Sequence, residues 1–209
     1  ADLFKPKWKH SNAQIRAAAV KDMSPEETEE LMSIARDDAD PAIRRVAIKK
    51  ITSPEVLLEI ARQDPDEGLR RFAEERALTG LVTRTMQGDP ETATRSLALI
   101  SDDVTLVDIA VNAELPAIRL EAVARLGGQK ALGEVARKGS EHMVRLAALE
   151  RVEDPDTLRS LCLGDLPKEF SLAALERITD PGDLSTISQK GRIKAVRARA
   201  KRRLAAIKE

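Results

Sequence analysis

A short word recurs along this chain, and its period restricts the fold more than any other feature. It reads Ile43-Arg44-Arg45-Val46-Ala47, and related words stand at Ile15-Arg16-Ala17-Ala18-Ala19 and Leu69-Arg70-Arg71-Phe72-Ala73. Further copies follow at Thr94-Arg95-Ser96-Leu97-Ala98, Ile118-Arg119-Leu120-Glu121-Ala122, Val144-Arg145-Leu146-Ala147-Ala148 and Val196-Arg197-Ala198-Arg199-Ala200. Phe170-Ser171-Leu172-Ala173-Ala174 is a copy in which Ser171 replaces the arginine. Taking the second residue as the anchor, successive copies lie 24–28 residues apart, and an Ala stands three residues after each anchor. Self-similarity at such a period is the mark of a stacked repeat architecture.

About 13 residues after most anchors comes a second word, Leu-x-x-apolar-small, as in Leu31 to Ala35, Leu57 to Ala61, Leu106 to Ala110 and Leu132 to Ala136. Each unit therefore holds two apolar-periodic segments. In the longer one, apolar residues fall one before the anchor and three, four and seven after it, as with Val144, Ala148, Leu149 and Val152. That spacing fills one stripe of an α-helix and does not alternate like a strand. Asp40-Pro41, Asp64-Pro65, Asp89-Pro90, Asp154-Pro155 and Asp180-Pro181 supply boundaries. Asp caps free helix N–H groups, Pro is tolerated in the first turn, and Pro ends the segment before it.

Such a pair of helices is too small to bury its own stripe, so neighbours must stack. The Ala at each copy lets helices approach closely. Composition agrees: aromatics make up 2% of the chain and Tyr is absent, so a large round core built on aromatic area is excluded. The expected fold is all-α, a right-handed α-solenoid of about eight two-helix repeats in one domain over 1–209. Two irregularities are expected. Thr83 replaces the second word of the third unit, predicting a distorted joint near 79–88. A basic helix over 190–209 closes the sequence, carrying Val196, Ala200, Leu204 and Ile207 as its stripe. It either caps the array or continues into further repeats. The chain begins at Ala1, which suggests a processed end or a piece of a longer protein.

The word Asp-x-x-apolar-Arg-x-x-Ala, complete at Asp40 to Ala47 and Asp66 to Ala73, resembles short HEAT-like repeats of the phycobilisome-lyase type and the leucine-rich repeat variant. Leu115 and Pro167 depart from it where Asp is expected. The opening Leu3-Phe4-Lys5-Pro6-Lys7-Trp8 before the repeats is similar to the N-terminal repeat region of larger bacterial proteins of unknown function. The resemblance implies architecture. It implies little about activity, because such repeats serve many functions.

Net charge is zero, but 190–209 holds nine Lys/Arg against Glu209 alone, leaving a mildly acidic body. This is not the footprint of a protein coated for nucleic acid. Two arginine columns are the binding candidates. The anchors include Arg119, Arg145 and Arg197, and the column six residues later includes Arg125, Arg151, Arg177 and Arg203. They could meet an acidic partner or grip phosphates bidentately. They could equally be structural. Asp40/Arg44, Asp66/Arg70 and Glu141/Arg145 have i,i+4 spacing, an acid or carbonyl of the next layer could serve instead, and the later column sits where a cation favours the helix dipole. Trp8 and Phe4 read as a plug over the first repeat. Cys162 reads as a small core residue, and Gly127-Gly128 as a helix-ending turn.

His10 and His142 lack partners at metal-ligand spacing, so no metal is expected. There is no phosphate loop or nucleophile motif, and no catalytic residue or cofactor is assigned. No apolar run is long enough to span a bilayer, and a cytoplasmic location is expected. The expected function is a non-enzymatic scaffold that presents a concave surface to a protein partner. The alternative is a nucleic-acid binder that uses the arginine columns, with base excision disfavoured for want of aromatics and a basic groove.

Overall fold

The computed structural model describes residues 5–207, so Phe4 and the last two residues lie outside the described part. Every regular element described is helical, in fourteen α-helices preceded by a 3-10 turn at Lys7–Lys9. The chain divides into two compact units, Ala1–Thr83 and Arg84–Glu209.

The first unit contains α1 (Ala13–Asp22), α2 (Thr28–Asp37), α3 (Pro41–Lys50), α4 (Pro54–Gln63) and most of α5 (Glu67–Gln87). The anchor helices α1 and α3 pack side by side, as do α2 and α4, and α2 packs on α3, which gives two layers. Asn12, Asp40 and Ser53 cap α1, α3 and α4 through their side chains. Between the layers lie Val20, Leu31, Ile34, Ile43, Ile48 and Leu57, and Trp8 packs against this core half-buried. That is the position expected of a plug.

In the second unit, α6 (Pro90–Leu97), α8 (Pro116–Arg125), α10 (His142–Glu150), α12 (Lys168–Glu176) and α14 (Lys194–Ile207) form one layer of successive neighbours. Helices α7 (Asp103–Asn112), α9 (Gln129–Lys138), α11 (Pro155–Leu163) and α13 (Pro181–Lys190) form the other. Contacts run between elements close in sequence, as an all-α repeat array requires. Gly133 shows how near the helices come: a Cβ there would meet the Thr157 methyl of α11 at 2.7 Å.

The repeat Ala is fully buried in six copies, at Ala47, Ala73, Ala122, Ala148, Ala174 and Ala200. Ala19 is half-buried and Ala98 is exposed. The exposed copy corrects the sequence alignment. In α6 the buried residues are Ala93, Ser96 and Leu97, followed by Ile100. These match the anchor, third, fourth and seventh positions of the other repeats. The anchor is therefore Ala93 and the small residue Ser96, while Arg95 points outward, with its side chain 71% exposed and Glu91 as its ion-pair partner. Two words in different phase overlapped here, and burial selects between them.

One helix-boundary expectation changes, and two others take a definite form. Near residue 80 the helix itself is continuous, α5 running from Glu67 to Gln87, while the boundary between the two compact units, at Thr83/Arg84, falls within the 79–88 region. Gly80 lies against Pro54, where a Cβ would come within 2.9 Å. Asp64-Pro65 opens no helix: Asp66 accepts the N–H of Leu69 at 2.9 Å, and Asp64 is used elsewhere. Gly127 and Gly128 do lie in the turn after α8, but without positive φ. Their N–H groups donate to the Asp103 carboxylate at 3.0 and 2.6 Å. Gln129 repeats the device one unit later, accepting from Glu153 and Asp154 at 2.5 and 2.9 Å. Each of these residues, at the start of its helix, reaches forward to hold the next turn in register.

Candidate functional site

The anchor arginines have a consistent local role. Arg16, Arg44, Arg70 and Arg197 each donate to the carbonyl six residues earlier, of His10, Asp38, Asp64 and Gly191 respectively, at 2.6–3.0 Å. Asp38, Asp64 and Gly191 are the C-caps of α2, α4 and α13. Helix ends leave carbonyls without partners, and a guanidinium there satisfies them. Arg145 reaches farther back, donating to the Ala136 carbonyl in the last turn of α9 at 3.3 Å, with its guanidinium 5.8 Å from the Phe170 ring.

Several anchors also bridge forward to an acid of the next repeat. Arg16 binds Asp38 through two nitrogens at 2.8 and 3.1 Å, and Arg44 binds Asp64 through two at 3.0 Å. Arg119 pairs with Glu141 at 2.9 Å. The i,i+4 acids are otherwise engaged: Asp40 accepts the Ala42 N–H, Asp66 caps α5, and Glu141 belongs to Arg119. The partners come from the next layer, as one of the structural readings allowed.

The later column reaches backward. Arg125 donates to the carbonyls of Ala98 and Ile100 at 3.1 and 3.0 Å, and Arg151 to those of Val123 and Leu126, the latter at 2.8 Å. Arg177 donates to Leu149 at 2.7 Å, and Arg203 donates to Leu175. Lys50 and Arg76 follow the same rule in the first unit, on the carbonyls of Lys21, Met23 and Ile51. These cations serve the C-terminus of the preceding anchor helix; Arg125, Arg151 and Arg177 also lie at the end of their own, whereas Arg76 and Arg203 lie inside longer helices. Arg119, Arg125, Arg145, Arg151, Arg177, Arg197 and Arg203 thus all hold intramolecular hydrogen bonds.

Carboxylates in this network have perturbed protonation. Burial pushes Asp38 up, but the Arg16 guanidinium, the Asp40 N–H and the charges of Arg16 and Arg44 outweigh it and hold the carboxyl below the usual range. Arg199, bonded at 2.7 Å, likewise lowers Glu176. A folded-state value below the unfolded one means the contribution is complete above the ordinary carboxylate range and is lost as pH falls through the folded value. Melting temperature should therefore drop as pH falls from about 4 toward 2. Asp38→Asn should flatten that slope while lowering stability at neutral pH; an unchanged slope would refute the assignment.

Other candidates have ordinary explanations. Cys162 is buried, its thiol pushed up to about 12 by burial, so it is not a thiolate nucleophile. A cleft of about 490 Å³ in the first unit is lined by Trp8, His10, Arg16, Asp37 and Asp38, but Arg16 and Asp38 neutralise each other. A cleft of about 450 Å³ between α9 and α11 has most of its polar groups paired, Arg137 with Ser160, Lys138 with Glu134, and Thr157 with Asp154. His142 lies 3.5 Å from Glu169 and against the Phe170 ring. No group of three or more metal-ligating side chains occurs among the described residues. None of the described helices is long and apolar enough to cross a membrane.

One surface feature escaped the sequence reading, and the structure resolves a second, the basic run within 190–209 that the sequence already showed. On the solvent-facing side of the anchor layer in the second unit, Leu120 is 37% exposed and Met143 is 59% exposed. Leu146 and Leu172, half-buried, occupy the position of Leu120 on α10 and α12. The clue was an apolar residue one after the anchor in three successive copies, outside the stripe that faces the core. The second feature is on α13 and α14. Arg192, Arg197, Arg199 and Arg203 have partners. Lys190, Lys194, Lys201 and Arg202 are exposed and have none among the described residues.

No protein-family model matches this chain, and neither a curated protein nor a solved structure is significantly similar to it.

Proposed function

We propose that the chain is a non-enzymatic binding scaffold of the HEAT-like kind, which docks a protein partner on the solvent-facing side of the α8, α10 and α12 layer. The observation that carries this reading is the division of labour between two sets of side chains. The arginines spend their hydrogen bonds on the array's own carbonyls and acids. Leu120 and Met143, in contrast, expose apolar surface with Leu146 and Leu172 beside them. An apolar row rimmed by charge is a protein-interaction surface in character.

Nucleic-acid contact through the arginine columns has less support. Glu121 and Glu150, exposed and unpaired among the described residues, share that surface and would repel phosphates. Affinity capture with the intact chain and with a Leu120→Glu/Met143→Glu variant tests the proposal. Both positions are solvent-facing, so the variant should keep its helical circular dichroism and melting temperature. Partner recovery should fall at least tenfold, which corresponds to about 1.4 kcal/mol. Undiminished recovery of the same protein would remove the docking face from consideration.

A further inference from the structure

The charges around this row are polarised, and the polarity describes the partner. Unpaired acids lie at one end, Glu121 on α8 and Glu150 on α10. Farther along, Glu169 faces His142 and Glu176 is taken by Arg199. At the other end, α14 continues the row with Ala198, the counterpart of Leu120, Leu146 and Leu172. There the row is bracketed by Lys194 and Arg202, exposed and without partners among the described residues. Arg202 occupies the repeat position of Glu150 and Glu176, so the sign of the charge reverses along a single row of equivalent positions.

The excess positive charge is not explained by packing. Lys194–Ile207 contains no acidic residue, so it forgoes the i,i+4 pairs that steady an exposed helix and carries like charges at Arg197/Lys201 and Arg199/Arg203. The hydrogen bonds that seat α14 use Arg197, Arg199 and Arg203, and none of them uses Lys194 or Arg202.

Resting on the docking face proposed above, we infer that its occupant is an acidic protein segment lying across the helices in one direction. Its apolar side chains seat on Leu120, Met143, Leu146 and Leu172, and its carboxylates cluster at the end over Lys194 and Arg202. Helices in such a layer stand about 8–10 Å apart, so a segment of about nine extended residues reaches from α8 to α14. A polynucleotide fits poorly, since its charge is uniform along its length while this face changes sign, and the row carries no exposed Phe, Tyr or Trp for base stacking. A lipid surface also fits poorly, because Val196 and Ala200 of α14 are buried in the array.

Selection of displayed random peptides on the full-length chain, followed by anisotropy titration of the synthetic winners, tests the inference. The expected winners combine large apolar residues with Asp/Glu at one end only. Lys194→Glu/Arg202→Glu should weaken them about tenfold or more, as should raising salt well above about 150 mM. Leu120→Glu/Met143→Glu should abolish binding. Winners that are neutral or basic, yet still need Leu120 and Met143, would overturn the acidic partner and leave the docking face standing. Winners indifferent to Leu120→Glu/Met143→Glu, or no winners at all, would overturn both. Tighter binding of a short single-stranded RNA at the same salt would overturn the choice of a protein segment.

Discussion

Asp64→Ala should destabilise the first unit by about 3–5 kcal/mol, the range for breaking a buried ion pair by removing one partner. Arg44 and Asp64 are each only 6% exposed, and their two hydrogen bonds are both 3.0 Å long. Asp64 also accepts the Asp66 N–H at 2.8 Å, and Arg44 donates to the Asp38 carbonyl at 2.9 Å. Removing the carboxylate strands a guanidinium between α3 and α4 and frees the turn that leads into α5. Amide exchange in α3 and α4 is the measurement of choice, since it reads the first unit separately from the second. The double change Arg44→Met/Asp64→Leu should recover most of the loss, because apolar residues of similar size avoid the desolvation of two charges. A single-variant effect under about 1 kcal/mol, typical of exposed pairs, would show that water reaches the bridge.

The second expected result concerns the backward-reaching column. Arg151→Ala/Arg177→Ala should destabilise the second unit by about 2–4 kcal/mol, taking about 1–2 kcal/mol for each charged donor with partly solvated carbonyls. Arg151 serves the carbonyls of Val123 and Leu126, and Arg177 that of Leu149. Lysine at both positions should recover much of the loss, because at the equivalent position Lys50 already serves the carbonyls of Lys21 and Met23 with one ammonium. Urea titration followed by exchange protection in α8, α10 and α12 would measure both variants. The docking proposal gives an independent check. Binding at Leu120 and Met143 should survive Arg177→Ala alone, whereas loss of binding without loss of stability would return the arginines to the interface.

Much of this architecture could be read from sequence because repeat and helix periods both operate over short distances. The apolar residues around Val144 and Leu149, the Asp-Pro starts and the recurrent Ala specify two helices per unit through local sterics and capping. The same locality misled where two words overlapped. Arg95 has the right neighbours in sequence, yet Ala93, Ser96 and Leu97 face the core. A helix rotated by two positions buries a different set, and only packing against the adjacent helices selects one. In the long α5 no proline interrupts residues 79–84, and the Thr79 and Thr83 hydroxyls donate back to the carbonyls of Glu75 and Thr79 rather than capping a new helix, so the helix continues.

Alone, the sequence determined that this chain is helical, that its helices recur in pairs, and which Ala and Leu residues lie between them, since burial periodicity is written into adjacent residues. The tertiary structure decided which acid or carbonyl each arginine meets, because those partners come from other helices, commonly 20–28 residues away, beyond any i,i+4 rule. It also decided which cations are left over. Arg199 and Arg202 are alike in sequence, but only Arg199 lies within reach of a carboxylate, Glu176 on the neighbouring helix. Charge becomes available to a partner only after the fold has used what it needs, and that subtraction requires distances in three dimensions.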